Sequence, residues 1–466
     1  MKVLVLGGGV AGMAGALLLR RAGHDVILVD RDPAGSATDA DVVFTGDRVT
    51  VPQFRQPHNF LGLGRRILRD RLPDVYADLV GLGVGEFDQT NFLPDGTERE
   101  AGDEDLFVIL CRRPVFDAAL RRAVEREPGL DVRSAKATGL VADGGRVTGV
   151  DLEEISVDGD LVVDAMGRNS HLPRWLTAAG LPSPPSSGSE CGLVYFSRHF
   201  RIRAGAEMPA FTTLLAGPRG DTGFLAYSTF VGDGETFCTC IMPAASDRAF
   251  RALRDSDAYM RVARLLPGLD RWIDPDVSEP ITHVLSMGAI SNVVRSYIAD
   301  DVAVAPGVLA IGDALVHTNP TSAFGASQSL EHAVIVADVL EDGDDPTAIQ
   351  ENFHGRTRRS AESRFNSVSV EDRDRLRVYS GEALDVTDPR VSVAMFLRHT
   401  LPRVAPLDAA LLRAMLRRID MLDAPDLLAS DLDLLDHGRE VYLASRDALP
   451  PIPQPSREQL LSAIDG

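Results

Sequence analysis

The sequence predicts an α/β fold, in which a parallel sheet flanked by helices is interrupted by an antiparallel sheet and followed by a helical C-terminal region. Three observations lead there. The first thirty residues read as strand, glycine turn, helix and strand. A second short apolar strand ends in Gly312-Asp313 and precedes a long helix. Between residues 189 and 290 the pattern changes to the alternation of half-buried antiparallel strands.

Lys2 to Leu6 (KVLVL) is apolar and β-branched, as in a parallel strand buried on both faces. Ala11 to Ala22 carries apolar residues at helical spacing, and His24 to Val29 (HDVILV) is a second strand that stops at Asp30. The turn between them is Gly7-Gly8-Gly9-Val10-Ala11-Gly12. A GxGxxG string in this context, with an acid about twenty residues on, is the dinucleotide-binding fingerprint. Gly7 allows the tight turn, Gly9 lets backbone N–H groups approach a pyrophosphate, and Gly12 permits close packing of helix on strand. Val10 and Ala11 begin the helix whose positive end faces the phosphates. Asp30 would accept hydrogen bonds from an adenosine ribose, with Arg31 beside it.

The 466 residues leave room for roughly two or three domains. A net charge of −20 disfavours nucleic acid and anionic membrane as partners. Lys2 and Lys136 are the only lysines, a composition bias more than a functional signal. Cys111, Cys191, Cys238 and Cys240 form no CxxC pair and no metal-ligand spacing, so free thiols in a reducing cytoplasm are expected. The glycine turn and the strand after it argue against a cleaved leader, and no apolar run reaches the about eighteen residues of a membrane span.

Along the chain, Asp32 to Val51 is polar and turn-rich, and Val51-Pro52-Gln53-Phe54-Arg55-Gln56-Pro57-His58 leads into a helix from Asn59 to Arg71. A further helix covers Leu72 to Leu82. Leu106 to Cys111 is a strand, and Arg112-Arg113-Pro114 opens a helix over Val115 to Glu127. Asp131 to Asp160 is expected to form antiparallel strands around a hairpin at Asp143 to Arg146, before a buried strand at Leu161 to Asp164. Pro182 to Gly188 (PSPPSSG) reads as a linker. Strands follow at Gly192 to Arg203, Gly223 to Val231 and Thr236 to Met242, then a helix over Ala249 to Leu266 and a returning strand over Thr282 to Ile290. Gly307 to Ile311 resumes the parallel pattern, a helix covers Ala326 to Leu340, and Thr347 to Ile464 is helical. The resulting domains are residues 1–188, 189–290, 291–345 and 346–466, the first and third forming one unit.

With Gly7-x-Gly9-x-x-Gly12 and Asp30, Asp164-Ala165-Met166-Gly167-Arg168-x-Ser170, and Gly312-Asp313 followed by Pro320 and Gly325, the chain resembles the FAD-dependent class A monooxygenases of the para-hydroxybenzoate hydroxylase fold. The match in order and spacing covers residues 1 to about 340. The resemblance implies a Rossmann-like FAD-binding domain, an inserted antiparallel-sheet substrate domain and a helical C-terminal region. It implies that Asp313 holds the flavin ribityl hydroxyls and that the turn from Pro320 to Gly325 lies against the ring system. The helix starting at Ala326 would aim N–H groups at the pyrimidine edge, where a helix N-terminus stabilises an anion. Arg113 would contact the cofactor, against the alternative of a solvent-exposed helix-start arginine. Asp164 would serve the motif shared by FAD and reduced pyridine nucleotide, although Ala165 stands where the family's glycine is usual. That form is similar to the epoxidase and reductase branches, and leaves open NADH, NADPH or a separate flavin reductase as electron source.

The implied chemistry is oxygen transfer from O2 through a C4a-hydroperoxyflavin, giving hydroxylation or epoxidation of a medium-to-large apolar substrate, as in secondary metabolism. A dehydrogenase or double-bond reductase is the alternative. A halogenase is disfavoured, since Trp175 and Trp272 begin no Trp-x-Trp-x-Ile-Pro string and neither lysine is placed where such enzymes carry theirs. A non-catalytic flavoprotein is a third reading. No triad, carboxylate pair or metal cluster stands out. Alternation along Val194, Phe196, Arg198, Phe200 and Ile202 places Arg198 on an apolar face, where it needs a partner: substrate, flavin or, as the blander reading, a protein acid. Phe224, Tyr227 and His58 are further pocket candidates from fold position. The arginine-rich segment from Leu397 to Leu422 is expected to pack on the flavin domain or a dimer partner sooner than on a membrane, with a monomer or homodimer as the assembled state.

Overall fold

β1 (Lys2–Leu6), α1 (Val10–Arg21) and β2 (Asp25–Asp30) form the N-terminal unit, in a computed structural model describing residues 1–466 apart from 33–38, 47, 49, 50, 52, 383–392 and 450–453. Val3, Leu4 and Val5 are fully buried, which is why the strand shows no polar alternation. There follow α2 (Arg113–Arg126), β3 (Asp131–Ser134) and β4 (Leu161–Asp164). Next come β5 (Ser186–Glu190), β6 (Tyr195–Ile202), β7 (Arg219–Asp221), β8 (Leu225–Val231), β9 (Thr236–Pro243) and β10 (Ser291–Arg295). The chain closes with β11 (Val308–Ala310), β12 (Val316–His317), α3 (Gly325–Glu341), α4 (Pro346–Tyr379) and α5 (Ala409–Ile419).

The parallel sheet runs β11–β4–β1–β2–β3, with Leu4 opposite both Ile27 and Val162, and Leu309 opposite Val163. Because all five strands point the same way, the turns after β1, β4 and β11 emerge side by side at one edge. Ligands of open α/β sheets bind at that edge. The antiparallel sheet runs β7–β8–β9–β6 and continues to Ser278–Pro280. Phe196, Tyr227 and Ile241 face the main core, while Tyr195, Ala226, Cys240 and Met242 cluster on the opposite face. The two layers are clamped by a buried ion pair: Arg112, at the start of α2, donates from Nη2 to Asp233 Oδ2 at 2.6 Å and from its backbone N–H to Oδ1 at 2.9 Å.

Several expectations are corrected. Asp131–Ser134 is a parallel edge strand beside β2, and only Ala137–Asp143, Arg146–Leu152 and Ser156–Asp158 form the antiparallel meander. An edge strand with no buried residue carries no periodicity to distinguish the two. The stretch read as a linker runs into β5, which pairs with β10 in register from Ser186–Arg295 to Glu190–Ser291. Both proposed domain boundaries, 188 and 290, therefore fall at this ladder, whose pairing partner lies too far along the chain for composition to show. The helix over Ala249 to Leu266 is a 3₁₀ segment, Arg248–Arg254, and a separate helix, Ser256–Ala263, because the Asp255 carboxylate accepts the N–H groups of Asp257 and Ala258. Of Thr282 to Ile290 only Leu285–Met287 is strand. The polar stretch after Asp32 contains a short helix, Ala40–Thr45.

The C-terminal helices pack onto the rest of the chain, and their arginines turn inward. Arg413 meets Asp103 at 2.9 Å, Arg417 meets Asp423 at 2.6 Å, and Arg398 bonds Glu371. No helix among the described residues is long and apolar enough to cross a membrane. The cysteines are buried and free, and no group of metal-ligating side chains is found among the described residues.

Candidate active site

Gly7 adopts φ +104°, donates to Val29 O at 2.8 Å, and leaves only 2.6 Å between a hypothetical Cβ and Ala165 O. A Cβ at Gly12 would stand 1.8 Å from Gly7 O, so this glycine serves the turn's own packing and does not line the cavity below it. Gly9 differs: a Cβ there meets open space, and α1 starts at Gly9 without a side-chain cap. The first N–H groups of α1, beginning at Val10 and Ala11, are left for another acceptor. Asp30 closes this end. Its carboxylate takes a 2.7 Å bond from Arg48, which also donates to Gly8 O at 3.1 Å and faces Asp117 at 3.4 Å. Arg31 and Lys136 lie on the same stretch of wall.

The turn after β11 reaches this place from the other side. Gly312, at φ +58°, packs so closely that a Cβ would lie 2.9 Å from Ala11 Cβ. Gly312 itself does not line the cavity; Asp313 does. The Asp313 carboxylate makes no hydrogen bond among the described residues, and desolvation pushes its pKa up. His317, whose Nδ1 bonds Asp313 O at 3.0 Å, is pushed down by the same burial. Pro320, Ala323, Gly325 and Ala326 continue the wall, and α3, like α1, begins with no side-chain cap.

Arg113 is buried, not solvent-exposed. Its Nε donates to Asp117 Oδ1 at 2.6 Å and its Nη1 to His58 Nε2 at 3.3 Å. His58 Nδ1 lies 2.8 Å from Gln56 O, an arrangement that requires a neutral ring with Nδ1 as donor. Burial, helped by the Arg113 charge, lowers the His58 pKa to about 4. Gln56 in turn accepts from Ser197 Oγ at 2.9 Å, tying this segment to β6. Pro52, from the same sequence motif, lies outside the described residues.

Most of these groups border one cavity of about 950 Å³. Its walls are the glycine turn, Asp30, Arg113, His58, the segment Ala165–Gly167 with Arg168, Asp313 and the Pro320–Ala326 turn. The substrate-side wall is the Tyr195, Ala226, Phe230, Cys240 and Met242 face of the antiparallel sheet, under a roof of Leu397, Arg398, His399, Met415 and Arg418.

Three further site expectations are corrected. Arg198 lies on the other face of β6, half-buried and off the cavity wall, and donates to the carbonyls of Thr282 at 3.0 Å and Ser256 at 3.3 Å, with no ion pair among the described residues. Phe224 stacks on Phe250 away from the cavity, and Tyr227 borders the cavity while its hydroxyl turns to Pro267 O at 3.2 Å. Asp164 is fully buried, accepts from Met166 N at 2.9 Å and from Ser170 Oγ, and shapes the turn after β4; burial raises its pKa to about 6.

Sequence reading missed Tyr195 and the buried network behind it. The Tyr195 hydroxyl bonds Asn319 Oδ1; Asn319 Nδ2 donates to Asp372 at 2.6 Å, and Asn292 Nδ2 to the same carboxylate at 2.9 Å. The signal was the polar face Tyr195, Ser197, His199 on an otherwise apolar strand.

The donor set fits FAD. Two uncapped helix N-termini, a glycine turn with room at Gly9, the Asp30 carboxylate at the end of β2 and an Asp313 carboxylate with no hydrogen bond among the described residues share one cavity. A family model described as an FAD binding domain matches residues 2–40. Solved structures agree over far more of the chain. The flavoprotein/dehydrogenase of Cytophaga hutchinsonii superposes with a TM-score of 0.63 at 15% identity, covering 96% of this chain and 100% of that one. The chain has the fold of the FAD-dependent class A flavoproteins. The same flavoprotein fold is found in PqsL of Pseudomonas aeruginosa, a probable FAD-dependent monooxygenase (TM-score 0.57, 15% identity, 82% of this chain and 100% of that one). It is also found in the flavin-dependent brominase Bmp2 (0.58, 17%, 91% and 100%). Among curated proteins, Rv3254 of Mycobacterium tuberculosis is 29% identical over 226 residues, which span 43% of this chain and 45% of that protein. This alignment thus covers less than half of the relative's length.

Proposed function

We propose that this chain is an FAD-dependent monooxygenase that inserts one oxygen atom from O2 into a medium-to-large organic substrate. The observation that carries the reading is the single cavity that joins the β1–α1 turn, Asp313 and the inner face of the antiparallel sheet. Gly7, Gly9, Val10 and Ala11 would hold the pyrophosphate, Asp30 and Arg31 the adenosine end, and Asp313 with Arg113, Pro320, Gly325 and Ala326 the flavin end. When bound, FAD supplies the electron transfer and the activation of oxygen.

The chain's own residues set the conditions. The uncapped start of α3 and the Arg113 guanidinium offer positive potential where a reduced cofactor carries negative charge. His58, held neutral, orients Arg113 without adding a second charge. The Tyr195–Asn319–Asp372 network fixes the Pro320 turn against the substrate sheet, and the C-terminal roof covers part of the space between them, which would limit the entry of water. Electrons from NADH, NADPH or a separate reductase complete the reading.

The test is anaerobic mixing of FAD-loaded protein with NADH and with NADPH, followed by rapid mixing with oxygenated buffer. Bleaching of the flavin band by one nucleotide and a delayed return of the oxidised spectrum are expected. Reoxidation in a single phase without a lag, at whatever rate, would favour a dehydrogenase.

A further inference from the structure

At the roof of the cavity stand two arginines whose guanidinium groups bond no carboxylate among the described residues. The Arg219 guanidinium, on β7, makes no hydrogen bond or ion pair among the described residues, and its Nε and Nη2 are shut away from solvent without an acceptor. The Arg418 guanidinium, on α5, makes none either; its Nε is likewise shut away, and Glu371, bonded to Arg398 and Arg375, acts on it only through its charge. Arg398 stands between them and is held by Glu371, which also carries Arg375.

The nearby acids bond elsewhere. Glu371 serves Arg375 and Arg398, Asp372 serves Arg375, Asn292 and Asn319, and Asp221, on the same wall, accepts from Tyr379 Oη at 3.0 Å and from Gly223 N at 2.9 Å. Burial lowers the pKa of Arg219 to about 10, and the neighbouring Arg398 charge adds to the shift. The Arg219 and Arg418 side chains are both half-buried, and a guanidinium nitrogen shut from solvent without an acceptor is unfavourable unless something else supplies one.

Resting on the monooxygenase reading, we propose that Arg219 and Arg418 bind an anionic head group of the substrate, so that the substrate is an amphipathic organic acid and not a neutral hydrocarbon. FAD does not meet this need in the reading above. The charges felt by Asp313 at the flavin end are those of His317, Arg113 and Arg168, and none belongs to the roof cluster. The wall between the two ends is apolar, with Phe230, Met242, Ile290 and Met415, and suits the body of such a molecule. A planar guanidinium takes a carboxylate or a phosphate in two-point fashion, so the shared chemistry is a compact oxyanion.

The test uses FAD-loaded protein and calorimetric titration with matched pairs: benzoate and benzamide, 2-naphthoate and 2-naphthamide, decanoate and decanamide, with 2-naphthyl phosphate as a further arm. At least one acid is expected to bind tenfold or more tighter than its amide. Arg219→Gln with Arg418→Gln is expected to abolish that preference while the bound FAD and its spectrum stay unchanged. Tighter binding of the naphthyl phosphate than of the naphthoate identifies the head group as a phosphate within the same proposal. No acid preference in any pair, whether both members bind or neither does, overturns it, as does a preference that survives the double substitution. If the preference holds but no delayed reoxidation is seen in the oxygen-mixing experiment, the anion site stands and the monooxygenase reading fails.

Discussion

Asp420 shows how one distant contact sets the behaviour of a residue. Its Oδ1 accepts the N–H of Gly62 at 2.9 Å, across a sequence separation of 358 residues. Its Oδ2 is buried without a partner, beside Gln89, whose Oε1 lacks a donor too. Desolvation therefore pushes the Asp420 pKa from 3.8 up to about 8. A folded pKa above the unfolded one means that folding binds a proton, so this stabilisation is complete below the unfolded value and is lost as pH rises to 8. The buried histidines act in the opposite sense. His58, His199, His332 and His399 are lowered from 6.5 to about 4, so the unfolded state binds more protons and stability falls as pH drops from 6.5 towards 4. Between pH 6.5 and 8 the two effects oppose each other in the parent, because unfolded histidines still shed protons there, so the Asp420 contribution is read as a difference from a variant. In urea denaturation the parent should lose stability relative to Asp420→Asn by about 1 kcal/mol per pH unit across that range. An unchanged slope in the variant would remove Asp420 from the account. Nothing near Asp420 in the sequence announces this, because its burial is made by a partner from the other end of the chain. Arg198 failed for a related reason: strand alternation fixes which residues share a face, but not which of the two faces meets the ligand.

At the scale of elements, the β1–α1–β2 unit was fully legible, because strand, turn and helix are each determined by neighbours a few residues apart. The turn after β11 was legible through its resemblance to the first. The edge strand β3 and the pairing of β5 with β10 were not, since both depend on partners far along the chain. Legibility also has a steric side. Gly12 looks like one glycine among several, yet its missing side chain leaves room for the carbonyl of Gly7. Gly12→Ala should force that carbonyl aside and destabilise the protein by about 3 kcal/mol, the upper part of the usual range for overpacking. Thermal or urea unfolding of the variant checks this; stability within error of the parent would show that the turn has slack the geometry does not reveal.

For the whole molecule, the site exists only because three parts of the chain meet: the parallel layer, the antiparallel sheet and the C-terminal roof. The Arg112–Asp233 pair is the buried tie between the first two, with both side chains nearly without exposure. Asp233→Ala leaves a guanidinium buried with only the exposed Asp41 beside it, and should cost about 3–5 kcal/mol in urea denaturation. A loss below 1 kcal/mol would mean that the layers are held by packing alone. The roof was the least legible part of the site. Its arginines read in sequence as a basic helical stretch, and only the fold shows which are paired and which face the cavity.

On the proposed reading, one FAD spans the cavity from the β1–α1 turn to Asp313. Gly9 offers a clean probe at the first end: its φ of −80° suits any residue, and a side chain there meets open space, so Gly9→Val fills the cavity without disturbing the turn. Asp313→Ala probes the second end. The deciding measurement is titration of the cofactor-free protein and these two variants with FAD, followed by flavin absorbance and fluorescence. One FAD per chain is expected for the parent, with each variant bound at least tenfold more weakly at undiminished fold stability. Full affinity in either variant, or no FAD binding by the parent, would contradict the account.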